Sequence, residues 1–490
     1  MRALFLNPPF LPKYSRQSRS PCVTKSGTLY YPYFLAYATG AAEKAGIEAK
    51  LVDAVVAEMN TEDVVSIARE FNPQLIAIDT STPSIFNDVK VAEALKAALP
   101  SAHVTLVGTH PTALTEETMA LSPTIDSVCR GEYEYTTRDL ALAIRSGKDL
   151  ATVEGLSFRS KSKIIHNAPR KFIANLDELP FVSSVYKRHL GEKLIRKYFY
   201  ASIKWPYVSI LTARGCPYNC TFCNSPMKAS YRARSVKNVL EELAFIRKEL
   251  PFVNEVMFED ETFPAVESRT KELCKAIFDS GLKTNWSCNA RVNTSLETME
   301  LMRSAGCRLM CVGFESSSQN NLNSVKKGTT RQMQLDFMAD TRKAGLFVNG
   351  CFILGLPDDT PESMQATIDF AKELNPNTSQ FYPLMVYPGT EAFRWAKEKG
   401  YLTTEDWSRW IAPDGLHNTT VSRPDLSSDE LLRWCNKARL EFYTGKNYLS
   451  KVFKQALTDP GEAIRIIKGG KVLMKHIVKS KLSGQTDVKE

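Results

Sequence analysis

Twice along the chain, short apolar runs alternate with amphipathic segments, and this alternation constrains the fold more than any single motif. In the first 150 residues the runs are Ala3–Leu6, Ala49–Asp53, Leu75–Asp79, Val104–Val107 and Ser127–Arg130. Helical patterns at Phe34–Ala45, Thr61–Glu70 and Ile85–Ala98 separate them. Continuous apolar strands, each followed by a helix, predict a doubly wound parallel α/β sheet covered on both faces. Such sheets bind ligands beyond the carboxyl ends of their strands. Those ends read Asn7-Pro8-Pro9, Thr80-Ser81-Thr82-Pro83-Ser84 and Gly108-Thr109-His110-Pro111-Thr112, small and polar enough to let a large flat ligand reach the backbone.

The pattern resumes from Tyr207, with strands expected at Val208–Thr212, Glu255–Phe258, Thr284–Cys288, Leu309–Gly313, Phe347–Leu354 and Ser379–Met385. Six βα repeats are too few for a closed eight-stranded barrel, so a partial barrel is expected, with its chemistry at the carboxyl ends of the strands. The organisation is thus 1–150, a connector over 151–206, a partial barrel over 207–390 and a mainly helical region over 391–490. Leu156–Arg159 and Lys163–His166 suggest a hairpin inside the connector, and Ser427–Phe442 is the clearest helix after the barrel.

Composition narrows the partners. With 43% hydrophobic and 24% charged residues the chain is an ordinary globular one. A net charge of +9 is modest for 490 residues, and no element interleaves basic with aromatic residues, so nucleic acid is not expected as a partner. No apolar stretch approaches the roughly 20 residues needed to span a bilayer, and MRALFLNPPF does not read as a signal peptide. A reducing cytoplasm is the expected compartment, where clustered cysteines bind metal or catalyse. The tail carries Lys446, Lys451, Lys454, Arg465, Lys468, Lys471, Lys475, Lys479 and Lys481 among apolar residues. It suits either a peripheral contact with an anionic inner membrane face or a solvated helical face.

Eleven cysteines are present, and three of them carry the chemistry. Arg214-Gly215-Cys216-Pro217-Tyr218-Asn219-Cys220-Thr221-Phe222-Cys223 follows the first barrel strand. Three thiolates at this spacing converge on one face of a loop and are the soft ligands that iron–sulfur clusters prefer. Zinc is the competing reading, but a closed zinc site needs a fourth ligand, and no His or Cys follows closely.

This Cys-x-x-x-Cys-x-aromatic-Cys loop resembles the signature of the radical S-adenosylmethionine superfamily. The resemblance implies a 4Fe–4S cluster on Cys216, Cys220 and Cys223, whose open iron binds the amino and carboxylate groups of S-adenosylmethionine. Reductive cleavage then gives a 5′-deoxyadenosyl radical that abstracts hydrogen from an unreactive C–H bond. It implies further cofactor contacts from Phe222, from Glu259 and Asp260 after strand two, and from Ser287 and Arg291 at the end of strand three. Glu315 after strand four and Leu356 after strand five complete the set. A flavodoxin- or ferredoxin-type electron donor is implied as partner.

The first domain resembles the cobalamin-binding domain that precedes the radical module in one large subclass. The likeness places Thr82, Ser84, Gly108 and His110 near cobalamin. The Asp-x-His-x-x-Gly motif that supplies an axial histidine elsewhere is absent, so His110 is expected as a loop or pocket residue. Thr80–Pro100, Leu176–Arg188, Trp286–Ala290 and Phe352–Pro357 also resemble hopanoid-associated radical enzymes of the bacteriohopanetetrol cyclitol ether synthase type. That likeness implies hydrogen abstraction from a lipid or its sugar headgroup, followed by ring contraction or methylation. His110-Pro111-Thr112 and Pro217-Tyr218-Asn219 match the wider subclass instead. The alternatives are a cobalamin-dependent C-methyltransferase or porphyrin-type cyclase on another substrate, and a non-catalytic metal-binding interaction protein.

Overall fold

The computed structural model describes residues 1–225, 227–228 and 230–458. The first domain is one seven-stranded sheet in the order β2-β1-β3-β4-β5-β6-β7. Its strands are β1 (Arg2–Asn7), β2 (Glu48–Asp53), β3 (Leu75–Asp79), β4 (His103–Val107), β5 (Ser127–Cys129), β6 (Leu156–Ser160) and β7 (Lys163–His166). β2 through β5 pair in parallel. The hairpin expected inside the connector is instead the antiparallel edge of this sheet, with Phe158 opposite Ser127 and Ser157 opposite Val128. Leu156, Ser157 and Phe158 bury themselves against the core, while Lys163 and His166 on the outermost strand stay exposed, which suits an edge.

Leu75–Asp79 is buried at every residue, as a strand covered on both faces requires. The helices on those faces start on local signals. Asn60 accepts from the Asp63 amide while Asp63 reaches back, a capping box that opens Thr61–Phe71. The strand order reverses between β1 and β3, which puts the crevice at the ends of those two strands.

The second sheet has the order β15-β14-β13-β12-β11-β8, all parallel. Its strands are β8 (Tyr207–Ile210), β11 (Glu255–Phe258), β12 (Trp286–Ala290), β13 (Cys307–Glu315), β14 (Phe347–Leu354) and β15 (Thr378–Pro383). β9 (Ala213–Arg214) and β10 (Arg232–Ala233) form a small antiparallel pair that brackets the cysteine loop. β8 and β15 are unpaired edges, so the barrel is open as expected. Ser235, Ser295, Thr330 and Thr360 each accept from the amide three residues on and start the helix that covers the following strand.

The C-terminal region supplies helices Glu391–Glu398, Ser428–Thr444 and Lys446–Thr458 and a short turn at Trp407–Trp410. Ser428–Thr444, opened by a Ser427/Glu430 capping box, packs on β15 and on helix Pro361–Leu374. The domains join through a shared core in which Tyr31 stacks on Tyr198 at 3.7 Å and meets Tyr186 and Tyr207. Gly40 permits this closeness, because a Cβ there would stand 2.5 Å from Pro180 Cγ. Among the described residues no helix is long and apolar enough to cross a membrane, and every cysteine is a free thiol. Of the basic tail, the residues from Arg465 onward lie outside the described residues.

Candidate functional site

The cysteine loop leaves β9 through Gly215, whose φ is +84° and where a Cβ would stand 2.5 Å from the Ser230 carbonyl oxygen, so no side chain fits. Glu261 braces the loop, accepting from the Gly215 amide at 3.0 Å and the Ser225 hydroxyl at 3.2 Å. Cys216 Sγ lies 3.6 Å from Thr262 Oγ1, and Cys220 Sγ lies 3.6 Å from Arg291 Nη1. Burial pushes the Cys223 thiol up, while Arg19 and Lys228 act the other way. Cations thus stand beside Cys220 and Cys223 and a hydroxyl beside Cys216, which suits thiolates sharing a negatively charged inorganic cluster. Among the described residues no three His, Cys, Asp or Glu side chains stand close enough to hold a single metal ion; a four-iron cluster spans a wider gap than one ion.

Arg291 is buried over the Tyr218 ring at 3.7 Å, donates to the Lys327 carbonyl, and has an Nε without a partner. Lys327 in turn pairs with buried Glu315 at 2.7 Å. Glu315 holds a φ of +68°, a conformation that costs a non-glycine residue about 1 kcal/mol or more. Glu259 faces the barrel interior with only long contacts, 3.5 Å each to Ser209 and Asn289. Burial pushes its carboxyl up to about 7, against the pull of Arg19. Arg19 itself is accessible, yet it donates to the carbonyls of Asp260 and Glu261 at 3.1 and 3.0 Å. Phe222 borders, and Leu356 belongs to, one apolar cluster that also contains Val325 and Leu384.

Two expected residues do not join this group. Asp260 is sealed, with both carboxylate oxygens taken by the amide and hydroxyl of Thr212 at 2.6 Å, so it fastens β11 to the chain leaving β8. Ser287 is the second residue of β12, because that strand starts at Trp286 rather than Thr284. It donates to Glu255, which pairs with Arg308 at the opposite, amino end of the barrel.

The first crevice divides in the same way. Ser84 donates to Asp88 at 2.6 Å, inside a buried knot where Arg16 pairs with Asp88 at 2.6 Å and Thr80 also donates to it. Thr82 is buried and shares a hydrogen bond with His110 Nδ1 at 3.2 Å. The His110 ring lies 5.6 Å from Trp407, edge to face, and burial lowers its pKa to about 4, so it is neutral. Thr82, Ser84 and His110 are therefore enclosed by the chain itself. Gly108, Thr109, Thr112 and Gly131 keep accessible surface at the ends of β4 and β5, as do Gln17, Ser18 and Ser20 on the loop that follows β1. Gly108 has φ +117°, and a Cβ there would stand 2.2 Å from the Thr80 carbonyl. A floor of glycines and threonines fits the face of a macrocycle better than the three enclosed residues do.

One link between the domains escapes sequence reasoning. Arg214, directly before the cysteine loop, is buried and meets Glu132 at 2.8 Å, from the turn after β5, and Glu134 at 2.7 Å, the first residue of the helix that follows. Arg232 on β10 shares Glu132 at 2.9 Å. The signal was present as Arg130-Gly131-Glu132 and Arg214-Gly215, but only the fold brings the two turns together. Arg19 left less trace, a single arginine in a polar loop.

Residues 210–371 match the radical SAM superfamily and residues 19–141 the B12-binding domain. The chain is 31% identical over 428 residues to an uncharacterized methyltransferase of Pyrococcus horikoshii, covering 87% of this chain and 90% of that one. It is 25% identical over 346 residues to the hopanoid C-3 methylase of Methylococcus capsulatus, covering 69% of this chain and 63% of that one. Among solved structures it superposes on the cobalamin-dependent S-adenosylmethionine radical enzyme OxsB with a TM-score of 0.71 at 16% identity. That match covers 100% of this chain and 76% of the other, and it speaks for the fold alone.

Proposed function

We propose a reaction from the premise that the chain belongs to the radical SAM superfamily, with a B12-binding domain ahead of the radical module. It is an enzyme of that superfamily, and its cofactors are a 4Fe–4S cluster, S-adenosylmethionine and cobalamin. When bound, these groups supply a hydrogen-abstracting radical and a transferable methyl group. The reaction is methyl transfer to an unactivated carbon of a lipid or another small molecule.

The observation that carries this reading is that one loop, Gln17–Ser20, touches the barrel mouth through Arg19 and the first crevice through Gln17. On one side Cys216, Cys220 and Cys223 would hold the cluster. Glu259 would take the ammonium of S-adenosylmethionine and Arg19 or Arg291 its carboxylate, as a charge-assisted pair. On the other side Gly108, Thr109, Thr112 and Gly131 would bed the corrin. Arg19, Gln17 and Ser20 lie on the loop between them, and the Arg214–Glu132–Arg232 bridge fixes the spacing. Phe222 and the cluster around Leu356 would exclude water from the adenine side.

A hopanoid-type lipid or its sugar headgroup is the substrate class we favour. The motif stretches from Thr80 to Pro357 support it, and so does the likeness to a hopanoid methylase. Helix Lys446–Thr458 adds a physical reason, since Leu449, Phe453 and Leu457, four residues apart, are 53%, 68% and 72% exposed. An apolar stripe of this kind suits peripheral contact with the cytoplasmic membrane face. Lys451 is held against the barrel instead, its ammonium donating to the Asn375 carbonyl at 2.8 Å. Electrons would come from a flavodoxin- or ferredoxin-type donor.

Anaerobic reconstitution should give a brown protein with about four irons per chain that cleaves S-adenosylmethionine when reduced. Alanine at Cys216, Cys220 or Cys223 should bring that cleavage to background. Lipid profiles of cells with and without the gene should differ by a product one methyl heavier than its precursor. A product of unchanged carbon count would replace methyl transfer by ring contraction or cyclisation. A colourless protein holding zinc would overturn the radical reading.

A further inference from the structure

Most deep arginines of this protein meet a carboxylate: Arg16 with Asp88, Arg214 with Glu132 and Glu134, Arg234 with Glu242, Arg308 with Glu255. Arg291 beside the cysteine loop departs from that rule, and so do two cations at the other side of the barrel. Lys25, on the loop after β1, donates to Asn436 Oδ1 at 2.9 Å. Arg439, on helix Ser428–Thr444, donates to the same oxygen at 2.8 Å and to the Phe381 carbonyl at 2.7 Å. Among the described residues neither forms an ion pair. The carboxylate that bears on Lys25 is the exposed Asp414, beyond ion-pair distance and weaker in effect than Arg439. Two positive charges therefore share one neutral amide oxygen. Burial, and then repulsion from Arg439, bring the Lys25 ammonium down to about 7.

Lys25, Arg439, Tyr382 and His417 all lie deep in the molecule and all keep accessible surface. His417 Nε2 is 2.7 Å from Ser20 Oγ, and its ring meets Tyr382 edge to face at 5.6 Å. Burial lowers the pKa of His417 to about 4, so it adds a neutral hydrogen-bonding group, not a third charge. Tyr382 stands on β15, the edge of the sheet opposite β8, from which the chain enters the cysteine loop.

We propose that Lys25 and Arg439, with Ser20 and His417 beside them, form a subsite for an oxyanion of the substrate, a carboxylate or a phosphoryl group. A guanidinium fork and a mobile ammonium suit the several oxygens of such a group, and an unpaired buried cation is costly until one arrives. Its place at the far edge of the sheet anchors the substrate by the end remote from the cysteine loop. The inference rests on the reading of the barrel mouth as the reaction site, and it narrows the substrate to a molecule with a negatively charged end.

The test is calorimetric titration of reconstituted, cobalamin-loaded enzyme with inorganic phosphate and, separately, with acetate, at pH 7 and constant ionic strength in chloride. One of the two should bind. Lys25→Met and Arg439→Met should each weaken that binding at least tenfold, and Lys25→Arg should restore it to within about threefold of wild type. Tighter phosphate assigns a phosphoryl group, and tighter acetate a carboxylate; both uphold the subsite. Absence of binding to the wild type, or binding that Lys25→Met and Arg439→Met leave unchanged, overturns it. Thermal unfolding of each variant separates lost binding from lost folding, with Lys25→Arg as the folded reference. Reductive cleavage of S-adenosylmethionine by the same wild-type preparation is read in parallel. Cleavage without anion binding sinks the subsite alone, whereas failure to cleave sinks the radical reading.

Discussion

The two sheets differ in the charges they leave open at the carboxyl ends of their strands. At the end of β3 and the helix that follows it, the protein spends its own side chains: Arg16, Asp88, Thr80 and Ser84 satisfy one another out of water. At the ends of β8 through β15, charged groups such as Glu259, Arg19, Lys25 and Arg439 are left with long, neutral or backbone partners. Arg16 and Arg19 are three residues apart on one loop and fall on either side of this divide. Burial alone does not mark a functional charge; a charge the chain leaves without a countercharge does.

The largest effect should come from breaking the sealed knot. Arg16→Met leaves Asp88 buried without its cation and should cost about 3–5 kcal/mol in denaturant unfolding. Arg16→Met combined with Asp88→Leu should recover much of that loss, since a buried pair replaced by apolar groups is often near neutral. If the single change costs under about 1 kcal/mol, within surface range, the crevice is not sealed and the contrast between the sheets fails.

A smaller effect is expected at Asp79, on the floor of the same crevice. Burial raises its carboxyl to about 7, against a Gln17 hydrogen bond of 2.8 Å. The folded state therefore holds a proton that the unfolded chain, with its pKa near 4, has already released. The stability this gives is complete below about pH 4 and is lost as pH rises toward 7. Asp79→Asn, which carries no charge, should exceed wild type in stability at pH 8 by on the order of 2–4 kcal/mol. At pH 5 the difference should shrink to about 1.5 kcal/mol. Equal stabilities throughout would mean that water reaches Asp79.

The smallest change in stability should follow Arg19→Met, below about 1 kcal/mol because the side chain is accessible. It should nonetheless raise the S-adenosylmethionine concentration needed for half-maximal cleavage by about tenfold, the worth of one charge-assisted contact. A large stability loss without a shift in that concentration would move Arg19 to the structural side of the divide.

The sheets themselves were legible in the sequence because a buried parallel strand writes its burial as an unbroken apolar run, as Leu75–Asp79 does. The cysteine loop was legible because its ligands are local. Errors arose where the third dimension chose among equal local patterns. A two-residue shift in the start of β12 moved Ser287 from the reacting end of the barrel to the other. Asp260 and Glu259 are neighbours of like chemistry, and only the position of Thr212 shows that one is tied and the other open. The hairpin at 156–166 has no periodicity that says which sheet it will join. Lys25 and Arg439 are 414 positions apart, and no spacing rule connects them.

The loop after β1 also sets a clock. Ser20 meets His417, made 397 residues later, and at ribosomal rates of 5–20 residues per second that interval is roughly 20–80 s. Through it the first sheet can already be assembled, while this loop still lacks its last neighbours. The loop that touches both sheets is therefore among the last parts of the protein to be fixed in place.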